Sequence, residues 1–252
     1  MSTASGRPIK AITFDFWNTL VREERQVFRD RRVESWLYAL EGEVAVPERS
    51  VLDAAMDRNR HRFDRAWEAN LSYSAHDAVA DVLEDIDLAP SASVVDQLVL
   101  AFTDPDPAWK PGLTDNIGEA LEGLSSRGVR IGIICDVGLT PSRTLRRFLQ
   151  DHGLLGYFDH WSFSDEVGTF KPDPKIFHHA LEGLGGIEPA AAAHIGDLRR
   201  TDVGGALNMG MVAIRYSGVN DDPGSVDHGT HEIEGDIVIS DHRDLLTALD
   251  LV

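Results

Sequence analysis

Ile9-Lys10-Ala11-Ile12-Thr13-Phe14-Asp15-Phe16-Trp17-Asn18-Thr19-Leu20 opens with a short apolar run and places a carboxylate at its end. The run reads as a buried strand, and a strand covered on both faces belongs in a parallel sheet. An aspartate at the end of such a strand is costly to bury without compensation, so Asp15 is a candidate for a chemical task. The competing reading is an aspartate that only initiates a turn.

Working outward, five more apolar runs fall at Val129 to Cys135, Trp161 to Ser164, Ala191 to Gly196, Met211 to Ile214 and Ile237 to Ile239. Amphipathic stretches separate them: Asp115 to Arg127, Pro141 to His152, Pro174 to Leu184, Thr201 to Met209 and His242 to Leu249. This βαβ alternation predicts a doubly wound α/β fold, a Rossmann-like parallel sheet with its site at the carboxyl ends of the strands. From about Glu23 to Asp104 the alternation stops and only helical periodicity remains, in Gln26 to Leu40, Pro47 to Asn70, Ala75 to Ile86 and Ser93 to Phe102. We read an all-α insertion, left through residues 104–112, where three prolines and a glycine make a hinge. A helical lid after the first strand would exclude water and select substrates.

Composition narrows the function. The 252 residues are 42% hydrophobic, the balance of a packed globular protein, and acidic residues outnumber basic ones 42 to 24 for a net charge of -18. That sign disfavours nucleic acid and points to small molecules. An anionic substrate would then need local cations: a metal ion, a lysine and backbone N–H groups. The single cysteine, Cys135, excludes an intramolecular disulfide and fits a reducing compartment. Met1 to Pro8 shows neither a signal peptide nor a membrane span, so a cytoplasmic protein without a membrane partner is expected.

Three further stretches could carry chemistry. Gly196-Asp197-Leu198-Arg199-Arg200-Thr201-Asp202 sets two carboxylates at a second strand end. Asp15 with Asp197 or Asp202 would suit Mg²⁺, a hard cation that takes a few oxygen ligands and keeps waters. Phe170-Lys171-Pro172-Asp173-Pro174 places a lysine in a rigid turn before a helix, and Ile134-Cys135-Asp136-Val137-Gly138-Leu139-Thr140-Pro141 is another strand-to-helix turn with N–H groups for an anion. A solvated Lys171 and a pair of cap or loop aspartates are the plainer alternatives.

In this order and spacing the four stretches resemble the four motifs of the haloacid dehalogenase (HAD) superfamily, and the all-α insertion resembles its C1-type cap. The resemblance implies a core of residues 1–20 and 108–252 and a cap of 21–107. It implies that Asp15 is a nucleophile forming an aspartyl intermediate and that Lys171 screens charge beside it. Asp15, Asp197 and the carbonyl of Trp17 would bind Mg²⁺ directly, and Asp202 directly or through water. Trp17, Asn18, Thr19, Cys135 and Asp136 would line the phosphate site. The expected activity is Mg²⁺-dependent hydrolysis of a small phosphorylated metabolite by a monomer or homodimer.

The departures are informative. Trp17 stands where family phosphatases carry a second aspartate as general acid, and an indole cannot protonate a leaving alkoxide, a service worth about 10²–10⁴-fold in rate. Acyl phosphates and other esters with good leaving groups would suffer least. Dehalogenases and phosphonate hydrolases of the family also lack that aspartate. Dehalogenases need no metal, however, and the insertion from Glu23 to Asp104 contains no lysine for the Schiff base that phosphonate cleavage would use. A 2-haloacid dehalogenase-like enzyme and a catalytically weak binding protein are the alternatives to a phosphatase. Cys135 replaces the usual Ser or Thr, as a weaker donor or simply as a small apolar side chain. Asn18 replaces a glycine and tolerates left-handed backbone geometry.

Overall fold

The computed structural model describes residues 8–251 except 43–45, 70, 105, 107 and 226–228. The stretch from Met1 to Arg7, read above for targeting signals, and the hinge prolines Pro105 and Pro107 lie outside the described residues. The chain divides into two compact units, Met1–Glu23 with Pro111–Asp136 and Arg146–Val252, and Glu24–Lys110 with Val137–Leu145.

The first unit holds the sheet. Its strands are β1 (Ala11–Phe14), β2 (Arg130–Cys135), β3 (His160–Phe163), β4 (Ala192–Gly196), β5 (Val212–Tyr216) and β6 (Ile237–Ile239). All pair in parallel in the order β3-β2-β1-β4-β5-β6. Every residue of β1 is buried, and Phe14 lies in register between Ile133 and Ile195. From β1 the chain winds outward to β3, then returns to the other flank of β1 with β4 and winds outward again. The reversal between β1 and β4 opens a crevice at their carboxyl ends, the place where this class of sheet binds ligands.

The described residues also form ten α-helices, beside four short 3-10 or π turns: α1 (Arg25–Leu40), α2 (Arg49–Glu68), α3 (Ala75–Asp85), α4 (Ala92–Thr103), α5 (Ile117–Ser126), α6 (Ser142–Asp151), α7 (Ser164–Val167), α8 (Pro174–Gly183), α9 (Gly204–Met209) and α10 (Leu245–Ala248). In the sheet unit, α8 buries Ile176, Phe177, Ala180 and Leu181 among Ile134, Ala192 and Ala213. Their spacing is the 3.6-residue stripe that makes a helix amphipathic, and each large side chain so buried contributes about 1.5–3 kcal/mol. Asp173 caps α8 by accepting the Lys175 N–H, with Pro174 in the first turn, where a missing N–H costs nothing.

The second unit is helical throughout its regular elements, α1 to α4. Trp36, Leu52, Val79, Leu98 and Phe102 form its core, with Trp36 edge-on to Phe102 at 5.4 Å. Leu139, from the turn after β2, packs against the same cluster. Ser74 and Asp77 make a reciprocal capping box that starts α3.

Candidate active site

The crevice between β1 and β4 gathers four charged side chains. Asp15 extends the ladder of β1, its backbone N–H donating to Ile195 O at 2.8 Å, which sets it beside the end of β4. Asp197 follows the last residue of β4. The chain then makes a π-helical turn over Arg199–Val203, where a continuous α-helix from Thr201 was expected. The wider turn carries Asp202 back toward the strand end, where its Oδ2 accepts the Leu198 N–H at 3.0 Å. A Cβ on Gly196 would sit 2.2 Å from Asp202 Cγ, so only glycine admits this return.

Lys171 arrives from the loop before α8. Asp136 Oδ1 accepts its backbone N–H at 3.0 Å, and its buried ammonium donates to Asp15 Oδ1 at 2.5 Å and Asp202 Oδ1 at 2.6 Å. One carboxylate oxygen from each of Asp15, Asp197 and Asp202 lies within 4.8 Å of the others. Three buried carboxylates thus face one ammonium. Burial pushes the Asp15 carboxyl up to about 7, with Lys171 opposing and Asp202 reinforcing the rise. Burial also raises Asp197 well above the carboxylate range, with the charges of Asp15 and Asp202 adding to it. For Asp202 burial acts upward too, but Lys171 and His194 outweigh it and hold the carboxyl below its ordinary value. Lys171 is raised despite its burial, because Asp15 and Asp202 face it. A closely spaced, all-oxygen set with excess negative charge fits a hard divalent cation such as Mg²⁺.

Two further contributors were not among the expected site residues. His194, fully inside β4, places Nε2 3.1 Å from Asp202 Oδ1 and Nδ1 2.9 Å from Thr13 Oγ1. Burial depresses its pKa, with the hydrogen bond and charge of Asp202 opposing. Since the carboxylate only accepts, Nε2 donates to it, while the Thr13 hydroxyl lies within reach of both Nδ1 and the Ala193 carbonyl, the latter at 3.3 Å. A polar residue within the apolar run Ala192-Ala193-His194-Ile195 was the available signal. The other is Asn220, in the segment after β5, whose Nδ2 donates to Asp197 Oδ2 at 2.8 Å.

The remaining expected residues follow β1 or end β2. Cys135 is buried close enough to Asp15, Lys171 and Asp136 to feel their charges, and burial drives its thiol pKa well up, away from the reactive thiolate. Trp17 is half-buried, with its ring edge-on to Phe16 at 5.2 Å and Phe148 at 6.4 Å. Asn18 takes a left-handed backbone, φ 57°, and its Oδ1 accepts the Glu23 N–H, as its short amide side chain allows. The Thr19 carbonyl is held by Thr114 Oγ1 and His242 Nε2, both at 2.8 Å, while its own Oγ1 is buried without a hydrogen-bond partner among the described residues.

The site thus joins a buried strand-end carboxylate, a buried lysine and an acidic cluster at the β1/β4 switch. The chain belongs to the haloacid dehalogenase-like hydrolase family, whose model matches residues 9–210. It is 34% identical over 127 residues to the bovine (Bos taurus) haloacid dehalogenase-like hydrolase domain-containing protein 3, covering 50% of this chain and 47% of that protein. It is 31% identical over 134 residues to a glyceraldehyde 3-phosphate phosphatase of Methanopyrus kandleri, covering 53% and 55%. The chain thus spans about half the length of these curated relatives. The crystal structure of a HAD phosphatase from Thermococcus onnurineus shares the fold, with a TM-score of 0.62 at 24% identity over 96% of this chain and 98% of that one. Among the described residues no helix is long and apolar enough to cross a membrane.

Proposed function

We propose that this hydrolase is a Mg²⁺-dependent phosphatase of a small phosphorylated metabolite, with Asp15 as the nucleophile. The observation that carries this reading is the contact of the Lys171 ammonium with Asp15 inside a cluster that also holds Asp197 and Asp202. An Asp15 oxygen attacks phosphorus while the ester P–O bond breaks, giving an aspartyl phosphate and a leaving oxygen that must gain a proton. Water then attacks phosphorus, regenerating the Asp15 carboxylate and releasing inorganic phosphate. Lys171 holds the nucleophile in place and offsets charge on the phosphoryl oxygens. Asp15, Asp197, Asp202 and the Trp17 carbonyl would hold Mg²⁺, which supplies Lewis-acid stabilisation of phosphoryl charge. Cys135, Asn18 and Thr19 flank the phosphate position.

The Trp17 indole supplies no proton, so acyl phosphates and other substrates with good leaving groups are favoured over simple alkyl phosphates. The Methanopyrus kandleri relative named above as a glyceraldehyde 3-phosphate phosphatase supports a small phosphorylated substrate. The helical unit, entered directly after the nucleophile's strand, serves as the cap that selects it. With a lone cysteine, the enzyme suits the reducing cytoplasm.

The test is release of p-nitrophenol from p-nitrophenyl phosphate, whose leaving group needs little protonation. We expect turnover that requires Mg²⁺ and falls to background in Asp15→Asn. Halide release from a 2-haloacid without metal, and no phosphatase activity, would replace this reading with dehalogenation.

A further inference from the structure

The segment between β5 and β6 contributes one side chain to the acidic cluster, and two buried arginines hold that segment in place. Asn220 Nδ2 donates to Asp197 Oδ2 at 2.8 Å, while Lys171 serves Asp15 and Asp202. Two residues beyond Asp197, the Arg199 backbone N–H donates to Asp222 Oδ2 at 2.7 Å and its Nε to the Asp222 carbonyl at 2.6 Å. The rest of the Arg199 guanidinium reaches the Ile233 carbonyl at 2.8 Å and Glu234 at 2.6 Å. Arg215, at the end of β5, grips Asp221 at 2.5 Å and Glu234 at 2.7 Å. Both arginines are only 6% exposed. Arg199 therefore fastens the turn that bears Asp197 to the loop that bears Asn220, and Arg215 ties that loop to β5.

Resting on the metal-site reading above, we propose that Asn220 is a positioning residue for the cation: it fixes the Asp197 carboxylate through Oδ2 and leaves Oδ1 for Mg²⁺. A neutral amide suits the task. A lysine or arginine at this point would orient Asp197 equally well but cancel the negative charge that the cation needs, whereas an amide N–H orients it and leaves the charge in place. The Arg199 and Arg215 bonds prevent the loop from drifting and taking the donor away, and the forked, many-donor geometry of guanidinium is what lets one side chain hold carbonyl and carboxylate together.

The test is calorimetric titration of MgCl₂ into the intact protein, Asn220→Ala and Asn220→Leu, leucine keeping the branched shape of asparagine without the donor. Thermal melts and far-UV circular dichroism report whether each variant is folded. In both variants the Mg²⁺ Kd rises about 10–100-fold, the usual cost of losing an outer-shell partner. The Mg²⁺ concentration for half-maximal activity rises in parallel, while kcat at saturating Mg²⁺ stays close to that of the parent. Asn116→Gly removes the similar Asn116–Asp241 bond, 2.7 Å long and outside the cluster, and leaves the Kd unchanged. Parent and Asn220 variants with equal Mg²⁺ affinity would overturn the role of Asn220 while leaving the phosphatase reading intact. A parent that binds no Mg²⁺ would overturn both.

Discussion

Arginine–aspartate pairs cover the helical unit, while the sheet unit buries one lysine among three aspartates; the same attraction does different work in the two. On the helical unit, Arg29 pairs with Asp53 and Asp57, Arg62 and Arg58 with Asp85, and Arg60 with Asp64, mostly with both side chains partly in water. Each such pair is worth little, because solvent screens the attraction and ordering two long side chains costs entropy. In the crevice, Lys171 is 2% exposed and Asp202 1%, so water screens almost nothing. There the desolvation cost is large and the cluster is stable only as a whole, with carboxylates that still call for a cation. Charge in one unit stays in contact with water; charge in the other is buried away from it.

The largest expected effect comes from Lys171→Met, which removes the buried cation but keeps a long side chain. We expect kcat for p-nitrophenyl phosphate to fall by about 10²–10³. In metal-free buffer, urea denaturation should show a loss of about 3–5 kcal/mol. If Lys171→Met matched the parent in both assays, the contrast between the units would collapse.

A second test sharpens the contrast with a buried group outside the cluster. His242 stacks on Tyr216 at 4.2 Å and donates Nε2–H to the Thr19 carbonyl, and burial pushes its pKa from 6.5 down to about 4. The unfolded chain takes up the proton near pH 6.5, whereas the folded protein refuses it until about pH 4. Stability is therefore full above 6.5 and lost as pH falls through this window, by about 3 kcal/mol for this one group. His242→Gln should remove that much of the difference in denaturation free energy between pH 7 and pH 4.

The smallest effect belongs to the helical surface. Asp85 is held down to about 2, chiefly by hydrogen bonds from the Arg62 guanidinium, whose two nitrogens meet its oxygens at 2.8 Å. Even this two-pronged pair should give a coupling of no more than about 1 kcal/mol in a double-mutant cycle of Arg62→Ala and Asp85→Ala, and less at high salt.

The sheet was legible because buried parallel strands are written locally, as short apolar runs between amphipathic stretches. All six runs became strands, the first of them, which opens at Ile9, pairing only over Ala11–Phe14. Asp15, Lys171, Asp197 and Asp202 stood out because each sits at a strand end or helix start, where a charge breaks the local pattern. What escaped notice depends on pairs distant in sequence. Thr13 meets His194 across two neighbouring strands, and Asn220 reaches Asp197 from a polar segment with no periodicity to flag it. The Asp136 side chain turns out to secure the Lys171 backbone, a link that no spacing along the chain announces. The π-helical turn at Arg199–Val203 was missed because its amphipathic pattern is close to that of an ordinary helix.

Cys135 carries a practical consequence. Peroxides, maleimides and iodoacetamide react with thiolates, and the chain's only thiol is buried with its pKa well above the ordinary value. Oxidative stress should therefore leave this enzyme active when thiol-dependent enzymes around it fail. The same property makes the unaltered protein a silent background for labelling. A cysteine introduced at the exposed Tyr38 or Val238 becomes the sole point of dye attachment, with the active site untouched.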